Sequence, residues 1–329
     1  MIAPDRALWA RAVSGALRRF GPLAALLLMC AVLALLSEHF LTFANLLNVF
    51  RQSSVNALLA LGQLLVIITA GIDLSVGSIL GLCCVLAAIM LKAGAPSWLA
   101  LAAALAAGAG LGTINGLLFT KLRLPHPFIP TLGMMNVARG LALVITGGFP
   151  VSELPAGFRW WGAGAVAGIP APVIVVVGFC ALFHLFLTRT TLGRDLYAIG
   201  GNRQAALLSG VPVDRRLTMA YSISGAMSAA GAIVLAGRMN SGFPLAGVGT
   251  ELDSIAAVII GGASFFGGAG TVLGTLVGAL IMGVLRNGLN LLNVSAYWQT
   301  VVIGAVIVAA VWVDVVRQRA AERSRAAGR

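Results

Sequence analysis

Long apolar runs recur along the chain with short polar breaks between them, and this recurrence constrains the fold more than any single motif. A membrane-crossing helix needs about 20 mostly apolar residues. Ten such runs can be traced, at 21–37, 52–70, 76–92, 98–120, 128–147, 171–188, 216–237, 251–264, 270–286 and 296–314. The eighth and ninth are short and could form one broken element. The runs are continuous and lack the two-residue alternation of barrel strands, so an all-α integral membrane fold with about ten transmembrane helices is expected. Only 10% of the 329 residues are charged, against about 25% in an average soluble domain.

The net charge of +12 reads differently once the runs are placed. With the N-terminus inside, the cytoplasmic segments hold Arg6, Arg11, Arg18, Arg19, Lys121, Arg123, Arg189, Arg194, Arg203, Arg215, Arg216, Arg317, Arg319, Arg323, Arg325 and Arg329. The other side holds Arg51, Lys92, Arg159, Arg238 and Arg286. The positive-inside rule produces such an asymmetry, which supports ten spans and two cytoplasmic termini. The basic patches are topology signals, and no nucleic-acid partner is expected. The chain starts like a signal sequence, but no small-residue cleavage site follows "LALLSEHF", so an uncleaved first span is expected. Residues 1–20 form a cytoplasmic segment, 21–314 one transmembrane domain with a cytoplasmic loop at 188–216, and 315–329 a basic tail.

Cys30, Cys83, Cys84 and Cys180 fall inside apolar runs without a CxxC pair, which favours buried packing over a disulfide or metal site. His39, His126 and His184 show no ligand spacing, so no metal is expected. Only two lysines occur, Lys92 and Lys121, and neither follows a glycine, so the phosphate loop of ATPases is absent. No GxSxG elbow with plausible partners is present either, and an enzyme reading is poor.

"TAGIDLSVGS", Thr69 to Ser78, places Asp73 amid serines and glycines in an otherwise apolar stretch. A charge inside the bilayer is costly unless it faces a cavity, a partner or water. The segment reads either as a capped junction, with Asp73 or Ser75 as N-cap of the third span, or as part of a translocation path. A similar group, "TELDSIAAVIIGG", carries Glu251 and Asp253 at the start of the eighth span, where acids suit a helix start. The echo of the two motifs, in halves of opposite topology, suggests inverted repeats. Asn56, Gln63, Asn115, Asn136, Arg139, Tyr221, Ser224, Asn287 and Asn290 lie within spans, where each can glue helices or line a wetted path. Glycines such as those of "GTING", Gly274 and Gly278 permit close helix packing.

Two loops stand out. The outer loop "TGGFPVSELPAGFRWWGAGAVAGIP", Thr146 to Pro170, has Trp160 and Trp161 where interfacial anchors belong and room for a short helix. In the inner loop, Gly200 and Gly201 give a turn and Asn202 caps a short helix, "RQAALL". Ser209 and Gly210 close it and Pro212 ends it. By shape alone this helix is a docking element or a connector.

The stretches "LLVIITAGIDLSVGSILGL", "TLGRDLYAIGGNRQAALLSGVPVDRRLTMAYSISG" and "TELDSIAAVIIGGASFFGGAGTVLGTLVGALIMGVLRNGLNLLNVSAYWQ" resemble the permease subunits of ribose-type ABC importers, which also serve other monosaccharides and autoinducer-2. The likeness runs from about Leu41 to Asp314. It implies a type II-like fold in the bacterial inner membrane and a dimer with a second permease copy, identical or sister. It also implies a cytoplasmic ABC ATPase that holds the ATP and Mg, with no cofactor in this chain, and an extracytoplasmic sugar-binding protein. Carried over by residue, Gly200, Gly201, Asn202, Arg203, Ala205, Ser209 and Gly210 resemble the helix that docks on the ATPase. Asp73 and Ser75 resemble the motif at the inner end of the path, and Asn115, Asn136 and Asn290 are candidates to meet sugar hydroxyls. One departure is "LPHPFIPTLGMM", where Pro127 and Pro130 suggest a broken start to the fifth span. An ion-coupled secondary transporter is the alternative, with Asp73 as its titrating carboxylate.

Overall fold

The computed structural model describes residues 5–326, with side chains from Gly21 to Val316 and at Arg319. Arg6, Arg11, Arg18, Arg19, Arg317, Arg323, Arg325 and Arg329 lie outside the described side chains. The helices in chain order are α1 (Asp5–Leu36), α2 (Phe43–Ile68), α3 (Val76–Lys92), α4 (Ser97–Lys121), α5 (Phe128–Thr146), α6 (Ala156–Ala163), α7 (Ala171–Arg189), α8 (Thr191–Gly201), α9 (Arg203–Leu208), α10 (Val213–Met239), α11 (Thr250–Ile260), α12 (Val272–Leu291) and α13 (Ala296–Ala326). Every expected apolar run coincides with a helix.

Seven of these, α2, α4, α5, α7, α10, α12 and the Ala296–Val316 part of α13, are long and apolar enough to cross a membrane; Gly21–Leu36 and α3 are shorter apolar helices. The eighth expected span is different. α11 has 11 residues, a rise of about 16 Å, which is about half the hydrocarbon thickness. It is not one broken element with α12: Ala257 meets Gly278 and Gly261 meets Gly274, so the two helices pack back to back as an antiparallel pair.

α2 and α10 form the centre. α2 is buried from Ala57 through Ile68 without interruption, so it behaves as an interior helix apolar on all sides. Thr42 caps its start by accepting from the Asn45 amide, and α2 begins nine residues before the apolar run because Asn45, Asn48 and Arg51 are helical too. Asn45 and Asn287 exchange side-chain amide bonds of 3.0 and 2.8 Å between α2 and α12, which is interhelical glue. α4 packs on α10 through Gly108, Gly112 and Gly116. A Cβ at Gly112 would run into the Tyr221 carbonyl, so only glycine allows this approach.

The start of α5 is not broken. Pro127 sits at the cap and Pro130 within the first turn, where a missing N–H costs nothing. In the outer loop the short helix is α6, and Trp160 and Trp161 meet edge to face at 5.4 Å. Two small two-stranded ladders accompany it, Val151–Ser152 with Ser241–Gly242 and Ala165–Val166 with Ile169–Pro170. Cys83 and Cys84 are buried and donate weakly to the Ala104 and Ala232 carbonyls; the four cysteines are unbridged.

Candidate functional site

α2 stops at Ile68, where the Thr69 hydroxyl donates to the Val66 carbonyl over 2.7 Å. Ala70 then takes a left-handed φ of 60°, and the chain doubles back into the bundle. The Gln63 side-chain amide, more than a turn back along α2, donates to the Asp73 carbonyl. Asp73 Oδ1 accepts from the Ser75 N–H at 3.0 Å and the Ser75 hydroxyl at 2.6 Å. Its Oδ2 accepts from the Ser224 hydroxyl of α10 at 2.9 Å. The Ser75 hydroxyl in turn accepts from Asn115 Nδ2 of α4 at 2.8 Å.

Gln63, Asp73, Ser75, Asn115 and Ser224 are all fully buried. Three donors around one carboxylate compensate for its removal from water. Ser75 occupies the N-cap position of α3 but makes no cap bond with its side chain, because that hydroxyl is committed to Asp73. The carboxylate instead closes a turn onto the amide just before the helix.

The remaining path candidates lie elsewhere. Asn136 is exposed on α5 and donates back to the Leu132 carbonyl. Asn290 is exposed near the end of α12, where it accepts from Gln299. Neither touches the Asp73 cluster. Gln63 and Ser224 do, although the sequence offered them only as individual polar residues inside spans.

The 188–216 loop is two helices. Thr190 caps α8 and Asn202 caps α9, its Oδ1 accepting from the Ala205 N–H at 2.9 Å. Gly200 and Gly201 do not form a turn: they are the last residues of α8, and the chain bends at Asn202 with φ −161°. α9 closes at Ser209, followed by Gly210 at φ 83°. Only Ala206 of this helix is buried, while Leu207 and Leu208 are 56% and 81% exposed. Two exposed leucines beside a capped turn are an apolar surface without a partner in this chain. Arg203 is exposed as well, and lies over the Phe119 ring at 5.5 Å and 3.8 Å from Asp214.

α8 is fastened to the bundle by Arg216, which donates to Asp195 at 2.7 Å. Tyr197 adds a 2.8 Å bond to the Gly270 carbonyl, and burial raises its pKa above the ordinary value. A cavity of about 330 Å³ opens between Thr69–Gly71, Pro125–Pro127, Ile199–Arg203 and Tyr221. The Tyr221 hydroxyl donates to the Ile72 carbonyl at its floor. Asp73 therefore lies one layer behind a cavity that α8 and α9 border.

The second carboxylate group is not a simple helix start. Asp253 is paired with Arg286 of α12, with Nε 3.0 Å from Oδ2, so Arg286 belongs to the bundle rather than to an outer loop. Glu251 accepts from the Gly249 N–H at 3.2 Å through Oε1 and leaves Oε2 buried without a partner. Arg139 of α5 donates to the Pro244 and Ala246 carbonyls at 2.8 and 2.7 Å. Among the described residues no group of three or more His, Cys, Asp or Glu could hold a metal ion.

A helical bundle with apolar spans, non-helical backbone held inside it and an exposed capped helix at one end has the build of a multi-pass membrane permease. The chain belongs to the family described as branched-chain amino acid transport system / permease component, which matches residues 45–311. It is 46% identical over 297 residues to the ribose import permease protein RbsC of Escherichia coli (strain K12), covering 89% of this chain and 92% of that one. It is 46% identical over 302 residues to RbsC of Bacillus subtilis (strain 168), covering 91% and 94%. It is 41% identical over 298 residues to the D-allose transport system permease protein AlsC of E. coli (strain K12), covering 90% and 91%. No solved structure matches the chain.

Proposed function

We propose that this chain is the membrane subunit of an ATP-driven ABC importer for a monosaccharide, with ribose the first substrate to test. The observation that carries the reading is α9, capped at both ends and presenting Leu207 and Leu208 to the cytoplasm in a chain similar to sugar permeases along its length. A partner ATPase supplies ATP and Mg and seats its groove on α9. An extracytoplasmic binding protein delivers the sugar, and the chain sits in the inner membrane with both termini cytoplasmic. Gly200 faces the bundle, not the ATPase: a Cβ there would strike the Ile68 carbonyl, whereas Gly201 has nothing within 4 Å.

The sugar is neutral, so the path needs hydroxyl and amide partners. Asn136 supplies one on the face of α5 that also carries Gly133 and Gly140, both open to space, and this face pairs with a second permease copy. The Asp73–Ser75–Asn115 cluster gates the inner end, and Asn290 orders the α12–α13 junction. The two non-helical turns that precede α3 and α11 are the matching elements of two inverted halves.

A second reading, an ion-coupled transporter, draws on the full burial of Asp73. Labelled D-ribose uptake in cells expressing the chain with its partners separates the two. Uptake lost on ATP depletion and kept under a protonophore supports the importer; the reverse overturns it.

A further inference from the structure

The segment Phe243–Gly249 has no helix of its own, yet it runs beside α3 with Pro244 and Ala246 buried and Leu245 and Val248 exposed. Gly242 packs on Cys84 and Ala88, Gly81 lies against the carbonyls of Pro244 and Ala246, and Gly77 lies against Gly247 and Glu251. Between Ala88 and Gly77 helix α3 rises about 16 Å, so the segment descends through about half the hydrocarbon core. The carbonyls of its buried residues, Pro244 and Ala246, need protein donors. The two share one donor, Arg139 Nη1.

α5 otherwise packs on α3 and α4, both in the first half of the chain. Arg139 is the side chain by which it grips the second half. An arginine at this depth is kept where it has a partner and a task.

A second partner lies close by. Arg139 Nη1 is against Gly81 and Glu251 Oε2 is against Gly77. These glycines are one turn apart on the same face of α3, a spacing of about 6 Å. The Glu251 oxygen is buried and accepts no hydrogen bond. The arginine thus has two anchors one helical turn apart, one occupied and one free. Two discrete arrangements of one contact are what a packed interface needs in order to switch.

We propose that Arg139 is a positioning residue for transport: it exchanges the Pro244 and Ala246 carbonyls for the Glu251 carboxylate as α5 shifts one turn along the segment that leads into α11. The inference rests on the permease reading above. In the occupied arrangement the latch holds α5 against the second half through Arg139, while the face carrying Gly133, Asn136 and Gly140 stays turned outward. In the other, α5 is released by one turn. Glycine at 77 and 81 leaves room for both groups against the α3 backbone.

The test uses the complex purified through a tag on this chain and placed in liposomes with its binding protein. Imported labelled D-ribose and hydrolysed ATP are counted together. E251Q removes the charged second anchor; it should assemble and hydrolyse ATP but import about tenfold less ribose per ATP. R139A should lose import similarly, and R139K, which keeps charge and donors without the planar fork, should recover part of it. If ribose and ATP fall together with their ratio unchanged, the residues are merely structural and the latch is overturned. If the wild-type complex imports no ribose, the substrate reading fails by itself, and amide exchange decides the latch. Residues 243–249 should exchange faster in R139A and slower in E251Q than in wild type; equal exchange in all three overturns it.

Discussion

The Ser224 hydroxyl lies 2.9 Å from Asp73 Oδ2 and joins α10 to the turn before α3 across 151 positions of sequence. Through that bond and the one from Asn115 to Ser75, the non-helical turn is held by the two long helices α4 and α10. The turn cannot shift without breaking a hydrogen bond buried inside the bundle.

Ser224→Ala leaves the buried carboxylate one donor short. Bonds to charged groups are worth about 1.5–3 kcal/mol, so the purified protein should lose about 2 kcal/mol of stability. Asp73→Ala should cost more, because Ser75 and Ser224 both lose their acceptor. Thermal unfolding in detergent measures both.

Asp253 and Arg286 make a second test of buried charge. The Asp253 side chain is 7% exposed and its Oδ1 has no partner. Arg286→Met should cost about 2–4 kcal/mol by stranding the carboxylate. Adding Asp253→Asn should return part of that loss, a coupling that a double-mutant cycle reads directly.

Gly112→Ala should push α4 off α10, since the added methyl meets the Tyr221 carbonyl. Overpacking of this kind costs about 1–3 kcal/mol. Gly133→Ala, with nothing in the single chain within 4 Å of its Cβ, removes a helix-interior glycine and should not lower the melting temperature of the separated chain.

Leu208→Asp and Ala205→Glu alter exposed positions of α9 and should abolish sugar-stimulated ATP hydrolysis while the chain still inserts in the membrane. Normal hydrolysis in either variant would remove α9 from the docking role.

Much of this architecture was legible, because spans are read from apolar length and their helices follow from the need to satisfy every backbone bond in lipid. The caps of α9 were legible too, since Asn202 and Gly210 signal through local chemistry. Depth and grouping were not. Nothing in the order of residues says that Gln63, Asn115 and Ser224 converge on Asp73 while Asn136 and Asn290 do not; that is fixed by how α2, α4 and α10 rotate about their glycine contacts. The eighth run was legible as short, but not as a helix separate from α12, because its apolar composition continues past Ile260 into Gly261, Gly262 and Ala263, where the helix ends. Gly200 was read as a turn former, but its lack of a side chain serves the contact with Ile68.

The most direct test of the permease reading is to extract the chain gently from its native membrane by an added tag and to identify by mass spectrometry what comes with it. A P-loop ATPase in about equal amount, with or without a second permease, is the expected result. A chain that comes out alone, with solute uptake following the proton gradient, would contradict the account and turn attention to the carboxylate of Asp73.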